Sequence, residues 1–283
     1  MKLACIPLLL LLGFSCKKVE QPAYIRIDTI ALKNSGQGEN SLSSDVRDAW
    51  VYVDDQLQGA FELPCRIPVS QTGNHNIKVG AGIWVNSLAT LRSPYVFYEF
   101  ASSDFELTEG QETILNPLVS YRNNIHFAYQ AGFESATGNT LEPTTKSDTI
   151  GSITNNPLLV CEGQGSFQVK LARDEGFIEF QQTESMALPK AGAYVYLELN
   201  YLSSHPLAIG VRSNYPAAGL VYTPVTSLAP SATWQKAYIN LTRAVSTEVN
   251  AEGQKAVFSI TKLAGSAPLD LRLDNLRIVH FTE

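Results

Sequence analysis

The sequence predicts an all-β protein built from two antiparallel β-sandwich domains. Three observations support this fold class. The chain is rich in Val, Ile, Tyr, Phe, Thr, Gly and Pro, and many short runs alternate between apolar and polar residues. No long window shows the 3.6-residue apolar period of an amphipathic helix. Regular short strands separated by Gly, Pro and Asn turns are typical of antiparallel sandwiches.

Residues 1–18 have the pattern of an export signal. Lys2 precedes an apolar run from Ile6 to Phe14, which is too short to span a bilayer. With Gly13-Phe14-Ser15 directly before Cys16, the segment resembles a bacterial lipoprotein signal. An ordinary secretory signal, in which the cysteine is incidental, is the alternative.

The lipoprotein resemblance implies a signal peptide over residues 1–15, a lipid on Cys16 and a tether over residues 16–23. Acyl chains on Cys16 would attach the protein to a membrane, since each buried methylene contributes about 0.8 kcal/mol. We therefore expect an exported, lipid-anchored protein of the outer membrane or cell surface.

The charge of the chain excludes one class of ligand. The sequence has 21 Lys and Arg residues against 27 Asp and Glu residues, and removal of residues 1–15 takes away only Lys2. The mature chain therefore has a net charge of −7. Such a protein lacks the basic face that nucleic acids require, so no nucleic-acid partner is expected.

Residues 24–130 are predicted to form a small first sandwich. Ala49, Val51 and Val53 face one way, Asp54-Asp55 supplies a turn, and the chain returns through residues 57–61 as a hairpin. The pattern over residues 46–80 resembles the small β-sandwich repeats called PEGA or carboxypeptidase-regulatory-like domains. The matching residues are 51–55, Gly59, Pro64 and 73–77. The resemblance implies a spacer or accessory module.

An aromatic segment follows, over residues 83–100. Its aromatic residues are Trp84, Tyr95, Phe97, Tyr98 and Phe100. We expect this segment to be a core-facing strand and an apolar loop. The alternative is an exposed aromatic platform, which would indicate a protein partner.

Residues 131–283 are predicted to form the second sandwich, with strands at short intervals. Asp174-Glu175 is expected to be a hairpin turn between strands at 166–172 and 177–182. The domain opens on Phe133-Glu134 and closes on Leu273-Asp274-Asn275-Leu276-Arg277-Ile278. With Trp234-Gln235-Lys236 between them, these segments resemble a jelly roll of the carbohydrate-binding-module type.

That resemblance implies a structural calcium ion shared by the first and last strands. Glu134 and Asp274 are the corresponding candidate ligands. Calcium takes six to eight oxygen ligands, so backbone carbonyl groups would have to complete the shell. The alternative is that both carboxylates are solvated, or paired with Arg272 or Arg277.

Sugar binding requires exposed aromatic rings with hydrogen-bonding side chains beside them. Tyr194 and Tyr196 share one face of a strand, opposite Val195 and Leu197, so we expect both rings to point outward. The alternative is that they cover a sheet surface or an inter-domain contact. The full set of candidate ligand-binding residues is Tyr194, Tyr196, Arg212, Asn214, Tyr215 and Tyr222.

The sequence does not indicate a catalytic site. The four histidines, His75, His126, His205 and His280, are scattered, and no two have the spacing of metal ligands. There is no Gly-x-Ser-x-Gly motif. Cys65 and Cys161 could pair in an oxidising envelope, but we expect separate thiols because they lie in different predicted domains.

We therefore expect a membrane-anchored, non-catalytic envelope lipoprotein that binds a glycan or an envelope protein. A polysaccharide-acting enzyme of jelly-roll form is one alternative, and it would need a cleft with two facing carboxylates. A purely structural envelope lipoprotein is the other.

Overall fold

The computed structural model describes residues 21–135, 141–216 and 219–282. The predicted signal peptide, Cys16 and the tether up to residue 20 lie outside these residues. The all-β prediction is confirmed, since strands dominate and the described helical elements are one 3₁₀ turn (Pro157–Leu159) and one short helix, α1 (Thr242–Thr247). Within the described ranges, no helix has the length and apolar character of a membrane span.

Residues 21–124 form the first lobe, a sandwich whose sheets have the strand orders β5-β1-β9, β10-β2 and β4-β3-β6-β7, with β8 also paired to β6. Its strands are β1 (Ala23–Ile27), β2 (Ala31–Leu32), β3 (Asp48–Val53), β4 (Gln56–Glu62), β5 (Cys65–Val69), β6 (Gly73–Trp84), β7 (Arg92–Pro94), β8 (Ala101–Leu107), β9 (Glu112–Leu115) and β10 (Leu118–Val119). Pairing is antiparallel except for β1 with β9 and β2 with β10, which are parallel.

The hairpin predicted in this lobe is present. Val53 pairs with Gln56, and both residues between them have positive φ angles, 46° at Asp54 and 64° at Asp55. Positive φ at both central positions is the geometry of a type I′ turn, whose twist matches that of the flanking strands. The carboxylate of Asp54 accepts a hydrogen bond from the Asn76 backbone N–H (2.9 Å) and contacts Nδ1 of His75 (2.5 Å).

Residues 125–282 form the second lobe. Its strands are β11 (Ile125–Ala131), β12 (Leu141–Pro143), β13 (Ser152–Thr154), β14 (Ser166–Leu171), β15 (Gly176–Gln182), β16 (Val195–Ser203), β17 (Leu207–Tyr215), β18 (Gly219–Leu228), β19 (Ser231–Asn240), β20 (Gly253–Lys262) and β21 (Leu269–Phe281). One sheet has the order β13-β14-β21-β16-β19, with β11 also paired to β21, and we call it the interface sheet. The other has the order β12-β15-β20-β17-β18, and we call it the open sheet.

The second lobe is a jelly roll, as predicted. Strands β14 to β21 are divided between the sheets in the orders 14-21-16-19 and 15-20-17-18, which is the arrangement of two interlocked Greek keys. The hairpin expected around Asp174-Glu175 is wrong, because β14 and β15 lie in different sheets. Each strand presents apolar residues to one shared core, so the connection between them has to cross from one sheet to the other.

The two lobes meet along β11. This strand pairs antiparallel with β21, so the chain enters the interface sheet at Ile125, six residues before the predicted domain start at 131. Cys65 lies in the first lobe and Cys161 in the second, and both are free thiols, as expected.

The first lobe covers the outer face of the interface sheet. Its hydrophobic core continues without interruption into Tyr196, Tyr238 and Val279 of the second lobe. Tyr95, at 3% exposure, packs against Tyr196 with ring centroids 5.4 Å apart and against Tyr238 at 4.9 Å. Tyr95, Phe97 and Tyr98 of the aromatic segment thus face a core, as expected, and that core is shared with the second lobe, whereas Trp84 and Phe100 are half-buried outside it.

A buried ionic cluster lies within this contact. Glu198 is fully buried, and its Oε2 lies 3.2 Å from Nε of Arg277 and 3.3 Å from Nζ of Lys236. Its Oε1 accepts hydrogen bonds from the hydroxyl groups of Tyr95 (2.6 Å) and Tyr121 (2.7 Å). Burial alone would raise the pKa of Glu198, but the charges of Arg277 and Lys236 outweigh burial and lower it.

Candidate functional site

With one face of the jelly roll covered, the outer face of the open sheet remains as the exposed sheet surface of the second lobe. Strand register places Tyr222 of β18 beside Arg212 of β17, and Arg212 beside Lys255 of β20. Cross-strand partners point to the same side of a sheet, so these three side chains form one row.

The Tyr222 side chain packs over Gly210, beside this row. A Cβ atom on Gly210 would come within 2.4 Å of Cε2 of Tyr222, so the ring occupies the space that only a glycine leaves free. Val257 pairs with Gly210 and is completely buried, although it belongs to neither hydrophobic core. The side chain of Tyr222 remains 41% exposed. Burial, and then the charge of Glu179, raise the pKa of its hydroxyl.

Arg212 is held in place by side chains of β15. Its Nη2 donates a hydrogen bond to Oε1 of Glu179 (2.7 Å), and its Nη1 donates one to Oε1 of Gln181. The side chains of Arg212 and Glu179 are only 11% and 8% exposed. The hydroxyl of Thr144 donates a further hydrogen bond to Glu179 (2.8 Å). The guanidinium is therefore fixed in orientation and balanced in charge.

A second charge pair continues the network. Oε1 of Glu142 accepts hydrogen bonds from Nε2 of Gln181 (2.9 Å) and Nζ of Lys255 (3.1 Å). The bond from Gln181 lowers the pKa of Glu142 despite partial burial, and Lys255 lowers it further. Beside the network lies a depression of about 160 Å³, lined by Gln181, Ser185, Arg212, Asn214, Leu220 and Lys255. The face thus combines an exposed aromatic ring with fixed hydrogen-bonding groups.

Three of the six predicted ligand-binding residues lie together on this face: Arg212, Asn214 and Tyr222. Asn214 pairs with Leu220 across β17 and β18, and both are exposed. Tyr215 is the next residue on β17 and points away, where its hydroxyl donates a hydrogen bond to Glu248. Thr223 contacts the same carboxylate (3.3 Å), so Tyr215 belongs to a separate cluster on the opposite side of the sheet.

The expectation that Tyr194 and Tyr196 both have exposed rings is correct for Tyr194 and wrong for Tyr196. Tyr194 is 46% exposed and lines a groove of about 510 Å³ where the lobes join. Tyr196 points outward from the jelly roll but is only 4% exposed, because the first lobe covers it. Its hydroxyl accepts a hydrogen bond from Nδ2 of Asn240 (3.1 Å), and burial raises its pKa to about 12.

Glu134 and Asp274 converge on one loop, residues 161–165. Oδ2 of Asp274 accepts hydrogen bonds from the backbone N–H groups of Cys161 (3.1 Å) and Glu162 (3.3 Å). Oε2 of Glu134 accepts one from the N–H of Gln164 (2.8 Å). The two carboxylates therefore approach the same short stretch of backbone from opposite ends of the domain sequence.

The alternative in which these carboxylates pair with arginine is not what the described residues show. Arg272 pairs with Asp270 (2.7 Å) and Arg277 with Glu198. Burial raises the pKa of Asp274 to about 7, and the nearby charge of Glu134 also raises it. A divalent cation between the two carboxylates would relieve both effects.

If Glu134 and Asp274 were two carboxylate ligands of a cation, carbonyl groups or water would have to supply the remaining oxygens of a calcium shell. Among residues 21–135, 141–216 and 219–282, no group of three or more His, Cys, Asp and Glu residues is arranged to hold a metal ion. The calcium site stays a prediction.

Several residues of the candidate face were not among the sequence-based candidates: Gly210, Glu142, Glu179, Gln181 and Lys255. The position of two of them could have been predicted from the sequence. Glu179 and Gln181 alternate with the apolar Ile178 and Phe180, so they must share the outer face of their strand. No local pattern indicates that the glycine lies under an aromatic ring, because that contact joins two strands.

Comparison with known proteins yields similarities of fold. No protein-family model matches the chain, and no curated protein sequence matches it. The C-terminal family 22 carbohydrate binding module of Clostridium thermocellum Xyn10B is 12% identical, with 55% of this chain and 93% of that chain covered and a TM-score of 0.40.

Two further solved structures are similar. A structure of carbohydrate-binding modules from the β-sandwich superfamily is 12% identical, with 93% and 99% of the two chains covered and a TM-score of 0.43. TmCBM61 in complex with β-1,4-galactotriose is 13% identical, with 56% of this chain and 99% of that chain covered and a TM-score of 0.35. At these identities and TM-scores, the similarities assign no family, ligand or activity to this chain.

Proposed function

We propose that this protein is a non-catalytic binding module whose ligand is a glycan bound across Tyr222 on the open sheet. The observation that carries the proposal is the Tyr222 ring, which packs over Gly210, remains 41% exposed and lies beside the fixed guanidinium of Arg212. An apolar ring face with polar groups beside it suits a pyranose, which has an apolar C–H face and a rim of hydroxyl groups.

The network of the open sheet supports a neutral sugar chain as the ligand class. Arg212 is balanced by Glu179, and Lys255 by Glu142, so these paired charges cancel on the face. Donor and acceptor groups remain available to hydroxyl groups, while no unpaired cation of this network is left to attract an acidic sugar. Because Arg212 is already immobilised, little side-chain entropy is lost when a ligand binds.

The hydrogen bonding of Glu142 and Glu179, the two carboxylates of this network, supports binding rather than hydrolysis. A glycosidase needs a general acid whose pKa is raised, together with a second, free carboxylate. Here the pKa of Glu142 is lowered by its hydrogen bonds. Glu179 accepts hydrogen bonds from both Arg212 and Thr144. Glu142 is therefore not prepared to donate a proton to a leaving group, and Glu179 is engaged by its two donors.

The experiment is a glycan-array and polysaccharide-pulldown screen of the full-length protein, followed by titration of the bound polysaccharides. We expect Tyr222→Ala to abolish binding. Tyr194→Ala is the matched control, since Tyr194 is similarly exposed, at 46%, but lies in the groove where the lobes join. If Tyr194→Ala loses binding and Tyr222→Ala does not, the glycan binds in that groove and not on the open sheet.

Two other outcomes would overturn the proposal. If the folded protein binds no glycan or polysaccharide in the presence of calcium, an envelope protein partner or a structural role would be favoured. Release of new reducing ends from a bound polysaccharide would favour the enzyme alternative.

We also propose that acyl chains on Cys16 anchor the module to the outer membrane or cell surface. The support is the sequence before the cysteine, Gly13-Phe14-Ser15, after a short apolar run. Intact mass measurement of the membrane fraction should show a chain that begins at Cys16 and carries lipid. Cys16→Ser should release the protein from membranes, and a Cys16→Ser protein that remains membrane-bound without lipid would contradict the anchor.

We propose, finally, that Glu134 and Asp274 hold a structural calcium ion beside loop 161–165. The support is the convergence of the two carboxylates on this loop, where no arginine of the described residues pairs with either of them, together with the raised pKa of Asp274.

A further inference from the structure

The histidines that are scattered in the sequence include two that meet in the fold. Strand β11 pairs antiparallel with β21, and the register places His126 directly opposite His280. Their ring centroids are 5.2 Å apart, with an angle of 62° between the planes. Directly opposed residues have Cβ atoms about 4.5–5.5 Å apart. Two imidazoles at that spacing can reach one ion, because a zinc–nitrogen bond is about 2.0–2.1 Å long.

The hydrogen bonding of His280 leaves one ring nitrogen available. Its Nδ1 lies 2.7 Å from the backbone carbonyl oxygen of Phe281. A carbonyl only accepts hydrogen bonds, so Nδ1 carries the proton in the neutral ring and Nε2 keeps its lone pair. This is the arrangement of metal-binding histidines, which usually donate their other N–H to a carbonyl or carboxylate.

The His126 ring is exposed, and in the described part of the chain no hydrogen bond engages its nitrogens. The other two histidines differ. His75 contacts Asp54 through Nδ1 and the Thr72 carbonyl through Nε2. His205 is buried, and its ring nitrogens contact the hydroxyl groups of Ser204 and Ser266. His126 and His280 are therefore the pair with free ligand atoms.

We propose that His126 and His280 form a two-histidine site for a transition-metal dication such as Zn²⁺, Ni²⁺ or Cu²⁺. Neutral imidazole suits these ions, whereas calcium and magnesium prefer oxygen ligands. Within the described ranges no third His, Cys, Asp or Glu completes the set, so water or an external ligand fills the remaining positions. The site is independent of the glycan-binding face and of the carboxylates at loop 161–165.

The test is calorimetric titration of Zn²⁺, Ni²⁺ and Cu²⁺ into the full-length protein at pH 7.5, purified without a histidine tag. We expect one ion per chain. His126→Ala and His280→Ala should each weaken binding by about tenfold or more, equivalent to about 1.4 kcal/mol. The matched control is His75→Ala, which should bind as the unaltered protein does.

His126 is exposed, so His126→Ala should remain folded, and its circular dichroism and Tm check this directly. If the folded variant binds the three metals as tightly as the unaltered protein, or if the unaltered protein binds none of them, the pair is only an aromatic contact and the proposal fails. Neither result depends on whether the protein binds a glycan, so failure of this proposal can be distinguished from failure of the proposed function.

Discussion

Gly210 lies beneath the Tyr222 ring so closely that a Cβ atom at residue 210 would come within 2.4 Å of the ring. The two residues are on neighbouring strands of the open sheet, β17 and β18, and the contact determines how the ring is presented to solvent.

The first prediction follows from that contact. Gly210→Ala should displace the Tyr222 ring and weaken glycan binding by about tenfold, or about 1.4 kcal/mol. Stability should change little, because the half-exposed ring can swing into solvent. The measurement is polysaccharide titration alongside the Tm. Tyr222→Phe is the control, since it keeps the ring face and should retain most of the affinity. Unchanged binding in Gly210→Ala would show that the ring orientation is irrelevant.

The second prediction concerns the ionic cluster between the lobes. Glu198→Gln leaves the buried Lys236 and Arg277 without their carboxylate, and breaking a buried charge pair in this way costs about 3–5 kcal/mol. We expect the free energy of unfolding in urea to fall by that amount. Glu106→Gln, at an exposed site, should change it by less than about 0.5 kcal/mol. Equal stability of the two variants would argue against a structural role for the cluster.

The third prediction is a loss of stability in alkali. Burial raises the pKa of Tyr95, Tyr98, Tyr121 and Tyr238 well above 10, and that of Tyr196 to about 12. In the unfolded chain tyrosine ionises near pH 10. Above that pH the folded state therefore binds more protons than the unfolded state, and the free energy of unfolding should fall as the pH rises.

The buried Lys236 changes the free energy of unfolding with pH in the opposite direction. Burial lowers the pKa of Lys236 from 10.5 to about 8, so between these values the unfolded state binds the extra proton and this group alone raises stability with pH. The net loss should therefore appear above about pH 10, where the tyrosines dominate. Tyrosinate absorbance should show five of the 12 tyrosines ionising only as the protein unfolds. Reversible ionisation of all 12 in folded protein would contradict the prediction.

The fourth prediction tests the proposed calcium site. If Glu134 and Asp274 hold calcium, a concentration 100 times the Kd stabilises the fold by about 2.7 kcal/mol. We expect the Tm to rise by about 5 °C or more in calcium relative to a chelator. Glu134→Gln should abolish this response, while Glu142→Gln, at the open sheet, should keep it. An identical Tm in calcium and chelator would leave both carboxylates as acceptors of backbone N–H groups only.

Much of the fold could be predicted from the sequence because strand periodicity is local. The hairpin around Asp54-Asp55 and the alternating strands of the second lobe follow from residues within a few positions of each other. The jelly-roll prediction depended on a resemblance rather than on periodicity. Periodicity alone suggested a hairpin at Asp174-Glu175, where the chain in fact crosses between sheets.

The candidate site was predictable in part. Arg212, Asn214 and Tyr222 were candidates from the sequence, and the structure places them together on one face. Alternation predicted an exposed ring for Tyr196, which does point outward from its strand but lies under the first lobe. A two-residue period tells which side chains share a face and does not tell whether that face meets water or another lobe.

The sequence by itself determined the all-β class, the export signal as a hypothesis, and which residues lie on the same side of each strand. The tertiary structure decided which sheet faces solvent, how Glu198 is neutralised by Lys236 and Arg277, and that His126 meets His280 across two strands. The physical reason is the separation along the chain of the residues that interact. Alternation and turn chemistry act between neighbours in the chain, whereas burial, charge pairing and strand register join residues that are far apart in sequence, and only the packed fold brings those together.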